Sequence, residues 1–124
     1  MLMDFLQAYL ARADAWNCST LVADWLIECG YPDFAADYRD LTNPADCDAV
    51  ARAHGGLDEL WETLFKGAVP WANEPYHPGD IAVISLAGHD AGAVFTGERW
   101  ALRQNHGLVF AGPEQLSVLR GWRP

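Results

Sequence analysis

The run GAVPWANEPYHPGD at residues 67–80 limits this chain more than any other segment. Its three prolines lock φ and withhold N–H groups, and its two glycines loosen the backbone, so no helix crosses it. Before it, apolar residues recur with a helical period; after it, they alternate as in strands. Residues 1–124 therefore read as a single α+β domain. The helical half lies at about 1–66 and packs on an antiparallel sheet at about 78–124.

Local signals sharpen both halves. Phe5, Leu6, Tyr9 and Leu10 form a short helical stripe. Asn17 is a good N-cap for a helix from Cys18 to Cys29, stopped by Gly30 with Pro32 beyond. Asn43-Pro44 repeats the start signal and His54-Gly55-Gly56 ends that helix, with His54 as a cap residue. Leu57, Leu60, Trp61 and Leu64 mark one more. Strands are expected at 81–86, 91–96, 100–104 and 108–111, with a last one near 118–122.

Composition narrows the function classes. Eight basic against 17 acidic residues give a net charge of -9, a surface that repels phosphates and anionic lipid headgroups. Neither nucleic acid nor a membrane is an expected partner. Nothing approaches a membrane span, and the N-terminus has no basic leader before an apolar stretch, so synthesis in the cytoplasm without a signal peptide is expected. The cysteines, Cys18, Cys29 and Cys47, are an odd, widely spaced set that suits neither a disulfide framework nor a zinc site.

One position invites chemistry. On the helix 18–29, Cys18, Val22, Trp25 and Cys29 share a face that must meet the sheet. Cys18 then sits at the first turn, where free N–H groups and the helix dipole favour a thiolate. The plain alternative is a small buried apolar residue, the reading preferred for Cys29. A nucleophilic thiol needs a base. His77 lies in a proline-flanked loop and reads as solvated, which leaves His89 and His106. If Gly97 and Trp100 close a two-residue hairpin, 89 opposes 108 and 91 opposes 106, so His89 and His106 stand diagonally on one face.

The segment WNCSTLVADWLIECGYPD resembles the nucleophile helix of NlpC-type, papain-like peptidases. HPGDIAVISL resembles the strand that starts that family's sheet, and HDAGAVFTGERWALR its histidine hairpin. NHGLVFAG and LSVLRGWRP resemble the closing strands of the small members encoded among tail-tip genes of phages, prophages and gene transfer agents. The likeness runs from about Asn17 to Pro124. It implies a papain-like fold with Cys18 as nucleophile, His89 as base, and His106 or Gln104 as the orienting residue. The chain departs from the pattern in three places, one being the 17-residue separation of His89 and His106, longer than the family usually shows. Asn17 stands where an aspartate is usual, and Asp90 holds the slot before the apolar-Gly pair, which leaves His89 one residue early.

What the resemblance implies for function is a cysteine peptidase or amidase acting on peptide stems of the bacterial cell wall. It would need no metal or organic cofactor. Its partners would be other tail-tip or baseplate proteins, and it would travel in the tail of a phage or phage-like particle. The alternative is a structural part of such a tail tip that keeps the fold and has lost the chemistry.

Overall fold

The computed structural model describes residues 1–10, 16–104 and 107–124. Four helices come first: α1 (Leu2–Leu10), α2 (Thr20–Glu28), α3 (Pro44–Ala53) and α4 (Leu57–Phe65). Six strands follow: β1 (Trp71–Ala72), β2 (Ile81–Leu86), β3 (His89–Phe95), β4 (Trp100–Gln104), β5 (Gly107–Ala111) and β6 (Ser117–Trp122). They form one antiparallel sheet in the order β1-β6-β2-β3-β4-β5. The chain is α+β, as its two periodicities require.

The helix boundaries follow their caps. α2 starts two residues later than expected, yet Asn17 still organises the start. Its side-chain oxygen accepts from the Ser19 N–H at 2.9 Å, and its amide donates to the Tyr38 carbonyl at 2.9 Å. Asn43 caps α3 through the Ala45 N–H at 2.8 Å, with Pro44 next, and His54 holds the C-cap. Along the first-half stripe Leu6 and Tyr9 are buried, whereas Leu10 is exposed.

Strand alternation divides the apolar residues between two faces of the sheet. Ile81, Val83, Val94, Ala101 and Trp122 turn to the helices and join Leu21, Val22, Trp25, Leu26, Trp61 and Phe65 in the main core. Ala82, Ile84, Ala93, Phe95, Trp100 and Leu102 form a second cluster on the other face. The Pro-Gly segment seals the joint between the halves. There the indole of Trp25 donates to the Gly79 carbonyl at 2.9 Å. Asp80, almost wholly buried, accepts from the His77 N–H at 2.7 Å and from the Arg123 guanidinium at 2.8 and 2.9 Å.

Two expectations need correcting. The β3–β4 hairpin is closed by Thr96 and Arg99 around Gly97-Glu98, so Phe95 pairs with Trp100 and the register lies two residues from the expected one. The Thr96 hydroxyl decides this: it accepts from the Arg99 N–H at 3.1 Å and pins the turn one position early. A two-residue shift preserves which face each side chain takes. The second correction is β1, a short strand within the Pro-Gly segment that pairs with β6.

Candidate functional site

Cys18 lies in the turn that leads into α2, just before the Ser19 N-cap. Its carbonyl accepts from the Gly92 N–H of β3 at 2.9 Å, which docks the start of α2 directly on the sheet. Only glycine permits this approach: a Cβ at position 92 would stand 2.6 Å from the Trp61 ring and 2.8 Å from the Cys18 oxygen. Trp61 in turn donates from its indole to the Ser19 hydroxyl at 2.9 Å, and that hydroxyl lies 4.0 Å from the Cys18 sulfur. The thiol is thus set among a sheet glycine, a core tryptophan and a serine.

An open cleft runs past this thiol. Cys18 lines it together with Cys47, Asp48 and Arg52 of α3 and with His89 and Asp90 at the start of β3. A second, apolar cavity lies behind, between α2, α3 and α4, walled by Val22, Leu26, Phe34, Leu60, Trp61 and Phe65. Cys18 and Cys47 border both spaces.

Each expected site residue has a definite place, save one. His89 pairs with Leu86 at the start of β3 and is exposed, as is Asp90 beside it. Alternation puts Asp90 on the face of Gly92 and Val94, which meets the helices and Cys18. The same alternation puts His89 with Ala91, Ala93 and Phe95 on the other face, and Gln104 with Trp100 and Leu102 there too. His106 lies outside the described residues. The structure therefore brings Cys18, Asp90 and His89 to one cleft, with Asp90 on the thiol's own side.

Electrostatics run against a thiolate. Burial raises the Cys18 pKa to about 11, the nearby Cys47 and Asp48 add to that rise, and the contact with the Ser19 hydroxyl offsets only part of it. The expected help from the helix start is outweighed by burial and by the neighbouring Cys47 and Asp48. At pH 8 the thiolate fraction is about a hundredfold below that of an ordinary thiol. Iodoacetamide labelling with peptide mapping should show Cys18 reacting slowly at pH 8, its rate still climbing beyond pH 10. A plateau near pH 8.5 would show an activated thiol. The raised pKa also works on stability. Its contribution is complete below pH 9.0, the ordinary value, and is lost as pH rises towards 11. Unfolding free energy should fall across that window, and less so in Cys18→Ser.

Sequence reasoning missed three contributors: Cys47 beside Cys18, Trp61 over the Ser19 turn, and Gly92 beneath both. Only Gly92 left a mark, as a lone glycine within an apolar strand. Among the described residues no group of His, Cys, Asp and Glu converges in a way that could hold a metal ion.

The profile of one protein family, described as a domain of unknown function (DUF6950), matches residues 1–123. The chain belongs to this family. No curated protein and no solved structure matches it. The DUF6950 match takes in helices, sheet and cleft together, so Cys18 and Asp90 lie within one family domain. Among the described residues of this DUF6950 domain no helix is long and apolar enough to cross a membrane.

Proposed function

We propose that this chain is an NlpC-type, papain-like domain of a phage or gene-transfer-agent tail tip that keeps the peptidase scaffold without its hydrolytic pair. It serves there as a structural part among other tail-tip or baseplate proteins. One observation carries the loss of chemistry: the β3 residue on the thiol's face that lines its cleft is the carboxylate Asp90, not an imidazole, and the Cys18 pKa is raised to about 11. A carboxylate in the base position cannot serve as the imidazole does, and burial with Asp48 nearby disfavours the thiolate that covalent catalysis needs. The helix-start cysteine, the PGD strand and the order of strands support the scaffold.

A second reading rests on a separate observation: His89 lines the same open cleft as Cys18. In that reading the domain is a cysteine peptidase or amidase acting on cell-wall peptide stems. The Cys18 sulfur attacks the carbonyl as an imidazole of His89 or His106 takes its proton, and the imidazole then returns a proton to the leaving amine.

Purified protein incubated with host peptidoglycan distinguishes the two. The structural reading expects no soluble fragments, the protein present in purified particles, and Cys18→Ser particles that infect or transfer normally. Fragment release abolished by Cys18→Ser would overturn it. The variant Asp90→His supplies a gain-of-function arm. An imidazole on the thiol's face should raise Cys18 alkylation at pH 8 by roughly tenfold, which corresponds to one unit of lowered pKa. An unchanged rate would show that Asp90 does not occupy the base position.

A further inference from the structure

We propose that Cys18 and Cys47 form a reversible intramolecular disulfide, making the cleft a modification site for thiol oxidants such as peroxides or small-molecule disulfides. The assignment is independent of whether the cleft cuts any substrate.

The two sulfurs come from different elements, one from the turn before α2 and the other from the first half of α3. The fold brings them side by side. Both line the open cleft and both border the apolar cavity behind it. The two thiols lie near enough to perturb each other's titration, and the Cys47 thiol donates to the Leu41 carbonyl at 3.0 Å. Each is free and half-buried, so oxidant can reach them through the cleft.

Closure calls for a movement. A disulfide needs the sulfurs about 2.05 Å apart, closer than two resting thiols stand. The required shift falls on α3, which has no fully buried residue along its length. Such a helix can move by a fraction of a turn without opening the core. Cys29 offers no rival partner. It caps the far end of α2, and nine helical residues at about 1.5 Å each place it roughly 13 Å further along.

The chemistry balances. Two S–H bonds break and one S–S bond forms; the two electrons and two protons released reduce hydrogen peroxide to two waters. With a small disulfide as oxidant, exchange through a mixed disulfide releases two equivalents of its thiol. In the oxidised form Cys18 is capped and α3 is tied to the start of α2, so the cleft is fixed at one width.

Native protein treated with diamide or hydrogen peroxide tests this. Titratable thiols should fall from three to one, peptide mapping should find Cys18 linked to Cys47, and dithiothreitol should restore all three. Cys29→Ser should keep the crosslink, and Cys47→Ser should lose it. If Cys47→Ser does not fold, mapping in the Cys29→Ser protein decides alone. Three free thiols after treatment that oxidises the urea-unfolded chain would overturn the proposal, as would crosslinks through Cys29 or between chains.

Discussion

Replacing Gly92 by alanine should lower the unfolding free energy by about 3 kcal/mol, at the upper end of what one added methyl group does in a packed interior. The added Cβ meets the Trp61 ring at 2.6 Å and the Cys18 carbonyl at 2.8 Å. One neighbour is a buried indole wedged against Phe65 and Trp122; the other is backbone. Neither can swing aside as a flexible side chain would. Relief must come from parting β3 and the α2 turn, which stretches the bond from the Gly92 N–H to the Cys18 oxygen. A lower urea midpoint with an unchanged slope is the expected result. Cys18 labelling at pH 8 should also quicken, because the same parting exposes the thiol. A midpoint within error of wild type would mean that helix and sheet meet more loosely than these distances indicate.

Trp122→Ala should cost about 3–5 kcal/mol, the range for truncating a large aromatic in a core. Trp122 is fully buried, with its ring 5.6 Å from Trp61 and 5.2 Å from Phe65, the latter edge-on. It also sits where three strands meet, opposite Trp71 of β1 and Ile81 of β2. Its removal leaves a void that rigid neighbours on both sides cannot fill. Trp71, mostly exposed on the edge strand, is the control: Trp71→Ala should matter much less in the same unfolding experiment.

The helices were legible wherever sequence period and caps agreed. Asn43-Pro44 marks α3 because a side-chain acceptor and a preset φ act on the same turn. Strands β2 and β4 begin and end where their alternation does. The hairpin register was not legible in that way, since Gly97 invites a turn at either of two positions and only the Thr96 hydroxyl chooses. β1 was hidden because two residues among prolines carry no period. In the site, Cys18 was legible from its place before an amphipathic helix. The offset of His89 could also be read, since Asp90 precedes Ala91-Gly92. The neighbourhood of Cys47 was not, because it lies 29 positions after Cys18 and no local pattern reports a tertiary meeting.

The place of β6 in the sheet has a consequence for how the chain is made. β6 is the last strand in sequence, yet it lies inside the sheet, between β1 and β2. During synthesis the helices and the β2–β3–β4–β5 meander can form as they emerge. Ile81 and Val83 nevertheless keep an unpaired edge, and Trp61 and Phe65 keep an open flank, until Trp122 arrives. The nascent domain therefore carries an unpaired edge from the time β2 is made until residues 117–122 can pair with it.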